Sequence, residues 1–425
     1  MNPLYSLGIS LYATAALLAA LKDGKARRMV EGHRETFARL EEALRDDRRY
    51  VWIHAASLGE FEQGRPLIER IRKEHPELGI VLSFFSPSGY EVRKNYSLAD
   101  VVVYLPFDTP ANARRFVETV NPVMAIFVKY EFWGNYLETL HSHDIPTYLI
   151  SAIFRPGQIF FRPWGGTFRK MLGYFTEIFV QDENSRKLLE GIGVKNVTVA
   201  GDTRFDRVTA IMNEMAANKS HQQLFYGSRP VVVFGSSWEA DEAVYEPWLK
   251  NHPGVKAIIA PHEFDTERLE KLRSELTIKP GDTMLLTEYG EMMRPPSDDS
   301  CGLANPEGVR VIIVDSFGLL SKLYGEADFA YVGGGFGVSI HNINEAAVYG
   351  IPVIFGPRHR KFREASGLIA CGGGFSVNSQ AEFEAVASDF ITDPEGCRAA
   401  GEKAGKYIRD NIGATDKILN SIFPK

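Results

Sequence analysis

From Tyr50 onward, short apolar runs alternate with stretches whose apolar residues recur every three or four positions. The runs at 50–55, 79–85, 100–106, 123–128, 146–152, 177–182 and 196–201 read as strands, and 109–119, 132–142 and 183–190 carry helical spacing. Strands this continuously apolar, separated by helices, predict a parallel sheet covered on both faces. A polar stretch, 206–229, interrupts the pattern. It restarts at 230–237, 255–261, 284–289, 309–316, 327–334 and 352–357, with a Pro/Asp/Ser-rich loop over 291–308 and helical spacing from 380 to 425. The chain therefore reads as α/β, with two doubly wound, Rossmann-like domains at 31–205 and 230–379. The segment 206–229 is the expected linker, and helices over 380–425 could cross back to the first domain. Ligands of open α/β sheets bind outside the C-terminal strand ends, so a cleft shared by both sheets is the expected site.

The first thirty residues break the pattern. Leu4 to Leu21 reads LYSLGISLYATAALLAAL, 18 residues without a charge, and Lys22, Lys25, Arg27 and Arg28 follow it. Basic residues behind the apolar stretch do not fit a secretory signal, which carries them in front. The length lies at the lower edge of a bilayer span, and the basic flank would keep the rest of the chain on the cytoplasmic side. A buried N-terminal helix is the alternative.

Composition changes this picture little. Apolar residues make up 44% and charged residues 24%, as in ordinary globular domains, and the net charge of −6 argues against a nucleic-acid binder working by overall charge. Cys301, Cys371 and Cys397 lie far apart, which gives neither a disulfide framework nor a zinc pattern.

The candidate chemistry clusters at predicted strand ends. Glu60, in WIHAASLGEFEQG, follows the first strand where a helix should begin, and Glu131, in KYEFW, follows the strand at 123–128. Two carboxylates on one rim suit acid–base or charge-stabilising work, although two solvated acids would look the same. Arg204, in GDTRFD, follows the last strand of the first domain and could pair with a phosphate or carboxylate. In the second half, Gly333-Gly334-Gly335 ends a strand, and a helix is expected to start near His341-Asn342, followed by Ile343, Asn344 and Glu345. Such a turn can cradle a phosphate at a helix N-terminus, but the spacing is not that of a dinucleotide fingerprint. Gly235-Ser236-Ser237, Pro261-His262 and Asp315-Ser316-Phe317-Gly318-Leu319 follow neighbouring strands and would complete a nucleotide pocket. The segment 155–175 interleaves Arg155, Arg162, Arg169 and Lys170 with aromatics, which suits either a lipid headgroup surface or a half-buried helix with solvated cations.

Taken in order, WIHAASLGE, KYEFW, AGDTRFD, GSSWEADE, DSFGLL and HNINEAAVYGIPVIFGP resemble the bacterial 3-deoxy-D-manno-octulosonic acid (Kdo) transferases of lipopolysaccharide assembly, over about residues 4–370. The resemblance implies a GT-B fold and an inverting transfer of Kdo from CMP-Kdo to a lipid A precursor (lipid IVA), without a metal or other cofactor. It also implies attachment to the inner (cytoplasmic) membrane on its cytoplasmic face, through residues 1–30. Carried over by motif, Glu60 matches the general base and Glu131 a second acid that supports the transition state. Arg204 stands where the family has lysine in a GNxKFD-like motif. Pro261 and His262 match CMP contacts in a motif where arginine usually precedes the histidine. Phe317, Gly318 and Leu319 match a phosphate and base loop that usually reads Met-Gly-Glu. Asn342, Ile343, Asn344 and Glu345 match a nucleotide-binding NxxE element with both polar ends kept. The rival readings are another GT-B enzyme, either a nucleotide-sugar epimerase or a different lipid-directed glycosyltransferase, and a non-catalytic nucleotide-sugar-binding scaffold.

Overall fold

In the computed structural model, residues 2–217, 224–225, 227, 229–292 and 308–424 are described. The chain divides into two compact units, Met1–Arg207 together with Ile412–Lys425, and Val208–Asn411.

The first unit is built on a seven-stranded sheet. Its strands are β1 (Tyr50–Ala55), β2 (Gly79–Phe84), β3 (Val101–Tyr104), β4 (Met124–Val128), β5 (Thr147–Ala152), β6 (Glu177–Val180) and β7 (Val197–Val199). The order is β3-β2-β1-β4-β5-β6-β7, and every pairing is parallel. Alternation along each strand feeds two cores. Trp52, Ala125, Phe127 and Leu149 pack on one face with Phe116 and Tyr136, while Ile53, Ile126 and Ile150 pack on the other with Phe61 and Ile68. Each large apolar side chain buried this way contributes about 1.5–3 kcal/mol. The final helix, Ala414–Ile422, lies on this unit, where Ile418, Leu419 and Ile422 join the second core. Asp206 ties it down by accepting from the Gly413 and Thr415 N–H groups, each at 2.6 Å.

The second unit repeats the plan with β8 (Val231–Ser237), β9 (Lys256–Pro261), β10 (Thr283–Leu285), β11 (Val311–Ile313), β12 (Phe329–Val332), β13 (Val353–Phe355) and β14 (Gly374–Ser376). Their order is β10-β11-β9-β8-β12-β13-β14, again parallel throughout.

Several expectations need adjustment. The run at 284–289 is strand only to Leu285 and then turns helical over Leu286–Met292, where Glu288 caps the turn through the Leu285 N–H at 3.2 Å. A three-residue strand, Gly374–Ser376, was not anticipated, because its glycine-rich lead-in hides it. The stretch 206–229 begins as a continuation of the helix Thr203–Ala217, so its polarity is that of a helix with a solvated face. Most of the 291–308 loop lies outside the described residues.

The N-terminal helix spans Pro3–Ala19 and ends short of Leu21; at 17 residues it is about 25 Å long, less than the hydrocarbon core of a bilayer. Among the described residues no helix is long and apolar enough to cross a membrane. The helix lies on the first unit through Tyr5, whose hydroxyl donates to Asp108 Oδ2 at 2.7 Å and whose ring meets Phe168 edge-on, and through Tyr12 against Phe85 and Phe107. Leu4, Leu7, Leu11 and Leu18 remain 56–75% exposed, and their spacing places them on one stripe of the helix away from that contact.

Candidate active site

The chain reverses its strand order in the first sheet between β1 and β4, the place where α/β sheets open a crevice for ligands. Both predicted carboxylates stand there. Glu60 lies in the first turn of the helix Leu58–Glu74, which leaves β1 after Ser57, and its Oε2 accepts from the Ser57 N–H at 3.0 Å and the Ser57 hydroxyl at 3.1 Å. It is thus a helix-capping acid whose capping interaction uses one oxygen only. Glu131 follows β4 and is 7% exposed. Its Oε2 accepts from Trp133 Nε1 at 2.6 Å and meets His54 Nε2 at 2.9 Å. Neither Oε1 accepts a hydrogen bond among the described residues, so each carboxylate is fixed through one oxygen with the other unengaged. Burial pushes the Glu60 carboxyl above its ordinary range, and the nearby Glu131 charge adds to that. The Ser57 hydrogen bond, His54 and Lys129 act in the opposite direction.

The sequence reading missed His54 and Trp133, although both stand inside the motifs it used. His54 is wholly buried on the Trp52 face of β1, with Nδ1 2.9 Å from Ser83 Oγ, which in turn accepts from Trp52 Nε1 at 2.8 Å. The signal was present: a histidine inside an otherwise apolar strand must find partners. Backbone strain marks the same rim: Lys129 and Ser151 adopt φ of 69° and 52° at the ends of β4 and β5, and in the second unit Ser236 adopts 52° at the end of β8. Each such non-glycine residue costs on the order of 1–3 kcal/mol, and conformations of this kind gather at functional sites.

Arg204, expected to pair with a phosphate or carboxylate, is paired with Asp202. Its Nε and one terminal nitrogen donate to Asp202 Oδ2 at 2.9 and 2.7 Å, while Asp202 Oδ1 accepts from Gln63 at 3.1 Å and from the Arg204 N–H at 3.0 Å. Burial would raise the Asp202 carboxyl, but the Arg204 charge and the hydrogen bonds outweigh it and hold the group below its ordinary range. The aspartate that replaces the motif's asparagine is therefore the partner of the arginine that replaces its lysine. Of the basic segment, Arg169 donates to the Phe160 and Arg162 carbonyls at 3.1 and 2.7 Å, bracing the loop.

In the second unit the order reverses between β8 and β12, and the predicted nucleotide residues spread around that point. Pro261 ends β9 and is buried. His262 is exposed, donates its N–H to the Ser237 carbonyl at 2.9 Å, and stacks between Trp238 at 4.4 Å and His341 at 4.5 Å. Trp238 Nε1 lies 3.2 Å from His341 Nε2, and burial followed by the neighbouring His262 lowers His341 to about 4, so its ring is a neutral acceptor. Phe317 is 84% exposed with its ring against Phe264, Gly318 has φ of 83°, and Leu319 opens the short helix Leu320–Leu323.

The Gly333–Gly335 turn serves packing first. A side chain on Gly333 would stand 2.4 Å from the Ser236 carbonyl, and Gly334 has φ of 90°. Asp241, also missed, is wholly buried and accepts from the Gly334 N–H and the Tyr331 hydroxyl, both at 2.8 Å. The helix after the turn starts later than expected and is a single turn, Asn344–Ala347, because the His341 N–H closes the loop onto the Gly333 carbonyl; it cannot supply the dipole of a long helix. Asn342 Nδ2 donates to Glu345 Oε1 at 2.9 Å, joining the two polar ends of the element. Ile343 faces the core, while Asn342 Oδ1 and both polar side-chain atoms of the buried Asn344 lack a hydrogen-bond partner. Among the described residues no three His, Cys, Asp or Glu side chains gather as a metal cage.

Two parallel α/β domains of this order are the GT-B type of fold. UDP-GlcNAc 2-epimerase from Neisseria meningitidis is similar in structure over 88% of this chain and 100% of its own, with a TM-score of 0.59 and 14% identity. MurG from Acinetobacter baumannii is similar over 88% and 99%, with a TM-score of 0.54 and 12% identity. Sequence comparison narrows the class. Residues 31–207 match the family model described as 3-Deoxy-D-manno-octulosonic-acid transferase (kdotransferase). The 3-deoxy-D-manno-octulosonic acid transferase of Haemophilus influenzae is 26% identical over 88% of this chain and 86% of its own length, and that of Aquifex aeolicus 26% identical over 83% and 89%. The resemblance read from the motifs is borne out: the chain is similar to Kdo transferases along most of its length, and the enzyme is a glycosyltransferase.

Proposed function

We propose that the protein transfers Kdo from CMP-Kdo to a lipid A precursor with inversion at the anomeric carbon. The observation that carries this reading is the pair of carboxylates at the β1/β4 switch point, each fixed by one oxygen. A sugar hydroxyl is a poor nucleophile near neutral pH, and a carboxylate within reach of it removes the proton as the bond forms. Glu60 takes that role. Its partial burial and the neighbouring negative charge raise its proton affinity toward the working pH, which is what a general base needs. Glu131 supports the positive charge that develops on the donor sugar as CMP departs. The departing phosphate gains charge, which Arg204 answers once it exchanges Asp202 for the ligand. The acceptor attacks directly, so no enzyme nucleophile and no metal are called for.

On the second unit, His262, the Phe317–Leu319 loop and Asn342–Glu345 would hold the CMP part of the donor. The unpartnered Asn342 Oδ1 and the two unpartnered amide atoms of Asn344 support this, since buried polar atoms are seldom left without a partner. The leucine stripe of Pro3–Ala19 and the exposed Trp164 would seat the first unit in the inner surface of the cytoplasmic membrane, where a lipid acceptor resides.

Incubation of the full chain with CMP-Kdo and lipid IVA, read by CMP release and lipid mass, tests the proposal. Gain of one or more Kdo masses with a stoichiometric release of CMP is expected. Nucleotide-sugar turnover without an acceptor would point to epimerase-like chemistry instead.

A further inference from the structure

We propose that His54 is a positioning residue for the transfer, one that locks Glu131 by a single oxygen and so directs the other toward the substrate. The inference rests on the role given to Glu131 above.

The wiring around the ring has a direction. Ser83 Oγ accepts from Trp52 Nε1 at 2.8 Å, so its own hydrogen is available for His54 Nδ1 at 2.9 Å. Nδ1 also lies 3.2 Å from the Ser83 carbonyl and Nε2 3.1 Å from Trp133 Nε1, but Glu131 Oε2, 2.9 Å from Nε2, is a carboxylate oxygen that only accepts, so the proton is assigned to Nε2 and its N–H points at Glu131. Trp133 Nε1 delivers a second hydrogen bond to the same oxygen at 2.6 Å. Two donors on one oxygen fix a side chain that would otherwise rotate freely, and Oε1 remains without a donor among the described residues.

The sheet does not need this contact to hold together. β1 and β4 are already in register from Val51–Met124 through His54–Phe127, and Trp52 and Phe127 pack against each other at 5.1 Å. An apolar residue at position 54 would serve that ladder as well. A buried histidine–carboxylate pair is a poor source of stability compared with apolar packing, so its placement beside Glu131 fits orientation better than cohesion. The chain of contacts runs from the core outward, Trp52 to Ser83 to His54 to Glu131, and ends at the site.

The test compares His54→Phe, which keeps an aromatic ring, with His54→Gln, whose amide can restore the N–H to Glu131. For His54→Phe, kcat should fall roughly 10- to 100-fold with the donor KM within about two-fold, as expected when a reacting group is misplaced rather than unbound. His54→Gln should recover most of that loss. The Trp133 indole N–H resonance, identified by its disappearance in Trp133→Phe, should move in His54→Phe and return toward its original position in His54→Gln. Equal loss in both variants, or a loss expressed in donor KM alone, would overturn the proposal. An unmoved indole signal would overturn it as well. If wild-type protein transfers no Kdo and the indole still responds as described, the anchoring of Glu131 stands and the assigned reaction falls.

Discussion

The Tyr5 hydroxyl donates to Asp108 Oδ2 at 2.7 Å and accepts from the Gly134 N–H at 3.1 Å, linking the N-terminal helix to the loop that carries Glu131 and Trp133. Asp108 is wholly buried and also accepts from the Asn135 and Tyr136 N–H groups at 3.1 and 2.9 Å. Tyr5→Phe leaves that carboxylate one donor short. It should lower stability by about 1–3 kcal/mol in a denaturant titration. A change below about 0.5 kcal/mol would show that the helix is not fastened there.

Asp108 also gives the fold a pH dependence with a definite sign. Burial raises its carboxyl to about 6, against the Tyr5, Asn135 and Tyr136 hydrogen bonds that lower it. A raised acid binds its proton more tightly in the folded state, so its contribution is most favourable below the unfolded value. It is lost as pH rises from about 4 to about 6, on the order of 2–3 kcal/mol in all. Stability measured across that window should fall less steeply in Asp108→Asn than in wild type, and an unchanged slope would contradict the assignment.

The Asp202–Arg204 pair predicts coupling. Arg204→Ala strands a buried carboxylate and should cost about 3–5 kcal/mol. The double variant Asp202→Asn/Arg204→Ala, which removes both charges, should cost less than the sum of the singles Asp202→Asn and Arg204→Ala. A double-mutant cycle on unfolding free energy checks this, with additivity as the contrary result.

With Glu60 as the proposed general base, the acid limb of kcat/KM should report its titration. Because the Glu131 charge raises the Glu60 carboxyl after burial does, Glu131→Gln should move that limb to lower pH in the residual activity. A shift to higher pH, or none, would mean that the two carboxylates do not interact as placed.

The leucine stripe makes a separate prediction. Replacing Leu4, Leu7, Leu11 and Leu18 together by glutamine should abolish sedimentation with vesicles of phosphatidylethanolamine and phosphatidylglycerol while thermal stability changes little, since these side chains are already exposed. Retained binding would direct attention to Trp164 and Arg162.

The strands were legible because parallel sheets buried on both faces need unbroken apolar runs, and Tyr50–Ala55 or Val231–Ser237 could hardly be anything else. Short elements were not. Gly374–Ser376 is carried by pairing with β13 rather than by its own propensity, and Leu286–Met292 turns helical after a run that suits a strand equally well. Glu60 and Glu131 were legible from their distance past a strand. The contacts of His54, Trp133 and Asp241 were not, because they join segments 29 to 93 residues apart, which no local spacing encodes. Arg204 shows the same limit: GDTRFD announces a cation but not that the aspartate two residues before it closes on the guanidinium.

The central claim is that Glu60 removes the acceptor proton. The direct measurement is CMP release and lipid mass from CMP-Kdo and lipid IVA for wild type and Glu60→Ala, with CMP affinity measured alongside. The account predicts that transfer by the variant falls at least about 100-fold while CMP binds as before. Transfer by Glu60→Ala at a rate near that of wild type would contradict it, leaving Glu60 as a helix cap and nothing more.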